Sequence, residues 1–128
     1  KVSEVSKVRD KTEKGYHKLL IWQRLKEFIK LVYALTEKLP KSEEFGLKSQ
    51  MRRAIVSVIS NFVEGYLKFS IKHKKSFMEI ANTSLLELEA QAEICRILEY
   101  WTEDEYSKFE QKRGEVAYLL YRYMSKLE

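Results

Sequence analysis

The stretch Arg52–Tyr66, "RRAIVSVISNFVEGY", decides the fold. Its centre, Val56 to Ser60, is rich in β-branched residues and resembles a strand at first reading. A half-buried strand alternates apolar and polar side chains, whereas Ile55 and Val56 are neighbours, as are Val58 and Ile59. A period of 3.6 residues fits instead. Leu47, Met51, Ala54, Ile55, Val58, Ile59, Phe62, Val63 and Tyr66 form one stripe, with no turn residue among them. The spacing therefore predicts a helix, since β-branching weakens helices only slightly. Gly65 is expected just past its end, as a C′ glycine. The opposite row, Ser49, Arg53, Ser57, Ser60 and Glu64, is small enough in part for a second helix to approach closely.

Working outward, the same rule finds three more helices. Upstream, Trp22, Leu25, Phe28, Ile29, Val32, Leu35 and Leu39 predict a helix over 18–39, closed by Pro40. Ser42, followed by Glu43 and Glu44, is expected to cap the decisive helix. Downstream, Ser70 caps a helix over 71–99 whose seam is Phe77, Ala81, Ser84, Leu88, Gln91, Cys95 and Leu98. Gln91 is polar in that apolar seam and needs hydrogen-bond partners. Thr102 and Glu105 make a capping box for a last helix over 103–127, carried by Tyr106, Phe109, Arg113, Val116, Leu120, Tyr123 and Leu127. Gly114 lies inside it. Four long helices with short connections make an all-α, antiparallel, up-down four-helix bundle over residues 17–128. Residues 1–16 read as a flexible basic arm without a signal-peptide core.

The chain has 128 residues, enough for one domain with its own core. Only one proline and four glycines interrupt it, which also favours helices. Cys95 is its one cysteine and reads as a core residue of a reduced, cytoplasmic protein. No apolar run reaches the roughly 18 residues that a membrane-spanning helix requires. The net charge is +5, unevenly spread. Residues 1–78 hold 18 Lys/Arg against 8 Asp/Glu, and residues 79–128 hold 6 against 11. The basic part peaks at Lys68, Lys72, His73, Lys74 and Lys75, to which Lys14 and Lys18 add from the arm. Such a surface suits salt-dependent phosphate binding, or contact with an acidic face of another subunit. Phe69, amid the lysines, is expected to pack its loop rather than to stack on a base.

Catalytic chemistry is thinly represented. Metal-ligand spacing, glycine-rich phosphate loops and nucleophile–base sets are all missing, so neither a metal nor a cofactor is expected. Glu87, Glu89 and Glu93 lack the histidine partners of a di-metal bundle. Arg52 and Arg53 suit phosphate, or pairing with Glu64 or with acids of another helix. Glu64, near a helix C-terminus where a negative charge is disfavoured, calls for a cationic or hydrogen-bonding partner. Tyr118, Tyr121 and Tyr123 point around the last helix, too widely for one core to bury. With Tyr33 and Tyr66 they suggest subunit contacts.

One resemblance is specific as a set. Trp22-Gln23, Leu39-Pro40, "FGLKSQMRRA" at 45–54, "NFVEGY" at 61–66 and "SFMEIANTSLLELEAQAEI" at 76–94 resemble the small four helix bundle protein family. That family includes proteins encoded in intervening sequences of bacterial large-subunit ribosomal RNA genes. The "NTS" at 82–84 departs from it, since a glycine is expected before the serine. The family is similar in fold to the accessory variability protein of diversity-generating retroelements, a basic ring of five bundles that binds a reverse transcriptase and nucleic acid. The resemblance implies a non-enzymatic homopentamer that binds RNA or RNA–DNA hybrid, with a reverse transcriptase as a partner. It implies no catalytic residues, and it casts Trp22, Asn61, Glu64, Gly65 and Gln91 as structural or subunit-contact positions. An oligomeric interaction module without nucleic-acid binding is the alternative.

Overall fold

The computed structural model describes residues 14–128, so the predicted arm lies outside them up to residue 13. Four helices follow one another: α1 Leu20–Glu37, α2 Leu47–Tyr66, α3 Ile71–Ile97 and α4 Glu103–Ser125. They pack antiparallel in the cyclic order α1–α2–α3–α4, with α4 returning beside α1. A 3₁₀ turn, Gly15–Lys18, precedes α1 and sets Tyr16 edge-on against Trp22 at 4.9 Å and near Tyr66 at 6.4 Å.

The core is the stripe that the periodicity defines. Leu25, Phe28 and Val32 meet Met51, Ile55, Val58 and Phe62, then Met78, Leu85, Leu88 and Cys95, and finally Phe109, Val116 and Leu120. Burying an aliphatic or aromatic side chain contributes about 1.5–3 kcal/mol, so this stripe dominates the stability. The α3 face is broader than a simple seam, because Met78, Leu85 and Ala92 are buried with it, whereas Leu98 is exposed. Gln91 is buried, and its amide donates to Glu87 at 3.3 Å while its carbonyl oxygen has no partner among the described residues.

Two local expectations are corrected. Ser42 does not cap α2. Lys41–Glu43 form a separate 3₁₀ turn, and α2 starts after Gly46. Glu43 does the capping instead: one carboxylate oxygen accepts the Leu47 N–H at 3.1 Å and the other accepts the Tyr100 hydroxyl at 3.0 Å. Gly65 is not a C′ residue either. It lies inside α2, with no positive φ, and the helix continues to Tyr66. A Cβ there would stand 2.7 Å from Met78 Cε and 2.8 Å from Phe77 Cβ. The glycine serves close helix approach rather than backbone freedom. The same pair of helices is bridged by Ser57 Oγ and Ser84 Oγ at 2.7 Å, as the small residues on α2 foreshadow.

The α3–α4 connection is tight. Glu99 takes a left-handed conformation, φ 60°, and Tyr100 N–H returns to the Cys95 carbonyl at 2.8 Å, the pattern of a Schellman close. Trp101 then turns inward, fully buried, and its indole N–H donates to the Leu35 carbonyl at 2.9 Å. Thr102 and Glu105 form the predicted capping box, at 3.1 and 2.9 Å.

Candidate nucleic-acid interface

The antiparallel layout brings three segments to one end of the bundle: the turn before α1, the α2–α3 connection and the last turns of α4. Aromatic side chains hold that end together. His17 stacks on Trp22 at 5.4 Å, and Tyr123 meets Phe62 at 5.7 Å and Tyr66 at 6.1 Å. Burial raises the Tyr123 hydroxyl above its ordinary range, keeping it neutral within this cluster.

Around the cluster stand Lys14, Lys18, Lys68, Lys72, Lys74, Lys75, Arg122 and Lys126. Lys74 donates to the Tyr66 carbonyl at 2.7 Å, neutralising the C-terminal end of α2. Lys75 pairs with Glu128 at 3.3 Å. Lys68 lies 5.1 Å from the centre of the Phe77 ring, and Arg122 lies 5.9 Å from that of Tyr118. Among the described residues, Lys14, Lys18, Lys68, Lys72, Arg122 and Lys126 have no carboxylate within ion-pair distance. The first turn of α3, which opens here, contains no acidic side chain. Arg122 and Lys126 come from the acidic half of the sequence, so its linear charge pattern does not mark them. Their signal is topological, because an antiparallel fourth helix ends where the second and third meet.

The other predicted residues have different surroundings, and Arg52 and Arg53 lie away from this end. Arg52 is engaged by α1: it donates to Thr36 Oγ1 at 2.9 Å, to the Tyr33 carbonyl at 3.1 Å and to Glu37 at 2.9 Å, and stacks 4.3 Å over the Tyr33 ring. This pairing with another helix's acid holds Glu37 below the usual carboxylate range. Arg53 is exposed on the outer side of α2. Asn61 donates to the Ser57 carbonyl at 2.8 Å within its own helix. Glu64 is exposed, and the described residues of this chain do not include the cationic or hydrogen-bonding partner expected for it. Tyr118 and Tyr121 are 58% and 68% exposed, as their angular spread requires. Phe69, expected to pack its loop, is fully exposed at 101%.

At the opposite end the balance reverses. Glu37, Glu43, Glu44, Glu93, Glu99, Glu103, Asp104 and Glu105 gather around the other two connections. An open cleft of about 710 Å³ lies there, lined by Glu93, Tyr100, Thr102 and Glu103. Arg96 on its wall is bound to Glu103 at 3.0 Å and packs 4.7 Å over the Tyr106 ring. Nearby, burial pushes the Cys95 thiol up to about 12, far from a reactive thiolate. Among the described residues no three His, Cys, Asp or Glu side chains converge as metal ligands, and no helix is long and apolar enough to cross a membrane.

The fold and this surface define a class: an all-α antiparallel four-helix bundle with one cationic end. Residues 17–122 match the family described as 23S rRNA-intervening sequence protein, and the chain belongs to that family. Its fold is similar to the crystal structure of a protein with unknown function from the S23 ribosomal protein family of Bacteroides thetaiotaomicron. The two chains are 23% identical with a TM-score of 0.75, over 82% of this chain and 98% of the other. No curated protein matches the chain in sequence.

Proposed function

We propose that this protein is a non-enzymatic, homo-oligomeric scaffold whose cationic end binds RNA or RNA–DNA hybrid through backbone phosphates. The observation that carries the reading is the gathering, at one end, of Lys and Arg that have no carboxylate in ion-pair distance among the described residues, whose carboxylates are concentrated elsewhere. Cations without local partners are those that release counterions on phosphate contact. The family's association with intervening sequences of 23S ribosomal RNA supports an RNA ligand.

Self-assembly draws support from the outer face of α3. Ile80, Leu86, Ala90, Ile94 and Ile97 are exposed there and share one side of the helix. A ring of five, as in the retroelement accessory protein, would repeat the cationic end five times and raise avidity without new contacts. A reverse transcriptase is the protein partner that this resemblance supplies. The α3 stripe also favours the second reading, an oligomeric interaction module without nucleic-acid binding.

The test uses Lys72→Glu, Arg122→Glu and Lys126→Glu together, since none of these residues holds a fold contact through a carboxylate. Filter binding of a ribosomal RNA fragment in low salt is expected to weaken by at least about tenfold, with a shallower salt slope. Unchanged affinity in a folded triple variant removes the RNA reading and leaves the interaction module.

A further inference from the structure

The two most exposed aromatic side chains of the bundle lie at opposite ends. Phe45, 95% exposed, sits in the α1–α2 connection beside Glu43 and Glu44. Phe69, 101% exposed, sits in the α2–α3 connection between Lys68 and Lys72. The bundle core is complete without either ring. Exposing a phenyl ring forfeits burial energy, and the surroundings differ in what they attract. At Phe45 the two carboxylates are offset by Lys41 and Lys48, the latter paired with Glu44 at 3.1 Å, whereas Phe69 lies between cations with no carboxylate in ion-pair distance among the described residues. A ring in open solvent, flanked by unpaired cations, has the composition of single-strand binding surfaces, where bases stack on an aromatic and phosphates meet lysines.

We infer that Phe69 is a stacking platform for an unpaired base, so that the cationic end selects single-stranded or looped RNA over continuous duplex. The inference rests on the RNA reading above and specifies its ligand. In a duplex the bases are already stacked on one another and present no free face. A lipid surface is a weaker fit, because interfacial binding scales with buried apolar area. Here the exposed apolar surface is Phe69 with Leu67 and Ile71, 60% and 53% exposed, a small area for such docking.

Fluorescence anisotropy of the full chain tests this with a fluorescein-labelled oligo(A) strand and with its duplex with oligo(U). Phe69→Ala is expected to weaken single-strand binding by about tenfold, within the range for one stacked base. Duplex binding and salt slope should stay unchanged. Phe69→Trp should restore single-strand affinity, and Phe45→Ala should have no effect. Equal single-strand affinity for wild type and Phe69→Ala overturns the inference while leaving the electrostatic reading intact. Absence of any RNA binding by wild type removes both. Loss of phosphatidylserine vesicle binding in Phe69→Ala, with RNA affinity intact, would assign the ring to a membrane surface instead. Dissociation of an assembly by Phe69→Ala, read by light scattering, would assign it to a subunit contact and likewise overturn the proposal.

Discussion

At Gly65 one added methyl group meets the side chains of Met78 and Phe77, and at Gly114 it meets nothing within 4 Å. The two glycines sit in helices of the same bundle, so they separate packing from propensity. Alanine gains about 1 kcal/mol over glycine in a helix interior. Overpacking a tight contact costs about 1–3 kcal/mol. Gly114→Ala is therefore expected to raise stability by about 1 kcal/mol and Gly65→Ala to lower it, both read from urea midpoints. The sequence leads to the opposite use of Gly65, because a glycine near the end of an apolar stripe has the look of a terminator. What distinguishes the cases is the neighbouring backbone, which no linear pattern displays. Trp101 was hidden for the same reason. It lies in a connection, outside any period, and is fixed by the Leu35 carbonyl across the bundle. Phe69 errs in the other direction: apolarity argues for burial, yet its loop is too short to fold over it.

Helices are the level at which the sequence is most informative. All four follow from threefold and fourfold spacing, and their ends fall within about two residues of expectation except around residues 40–46 and at Gly65, where α2 runs on to Tyr66. At the former the chain makes a 3₁₀ turn, and Glu43 rather than Ser42 reaches a free N–H of α2, that of Leu47. The start of α4 shows a cap that spacing alone does reveal. Thr102→Ala is expected to destabilise the protein by about 1 kcal/mol. The same box has a pH signature. The Glu105 carboxyl lies below its usual value of 4.5, chiefly through the hydrogen bond from the Thr102 backbone, with Lys38 adding at 3.2 Å. Glu27, bonded by Lys112, and Glu37, bonded by Arg52, are depressed likewise. A carboxylate held below its unfolded value stabilises the fold above that value, and the contribution fades as pH falls through the folded one. Thermal unfolding should accordingly show constant acid-side stability down to about pH 4.5 and a decline below it. Glu105→Gln, which removes the titrating group itself, should flatten part of that decline.

For the molecule as a whole, the deciding quantity is where charge ends up after folding. Read along the chain, the first part is basic and the last part acidic. Antiparallel packing redistributes this into two ends, moving Arg122 and Lys126 to the cationic side and Glu37, Glu43 and Glu44 to the anionic one. The candidate site was therefore half legible: the lysines near residue 70 stand out, and their partners from α4 do not. Assembly belongs to this scale too. Exposed Tyr118, Tyr121 and the α3 stripe predict a particle larger than one chain at micromolar concentration. Multi-angle light scattering returning the mass of a single chain, 15.3 kDa, would end the ring proposal.

The two tryptophans occupy opposite poles: Trp22 is half-buried beside His17, and Trp101 is sealed against Leu35. Intrinsic fluorescence thus carries two local reports in one spectrum, a red-shifted emitter at the cationic pole and a blue-shifted one at the other. A polyanion docking where the lysines gather would perturb the first colour and spare the second, so an unlabelled titration contains its own internal reference.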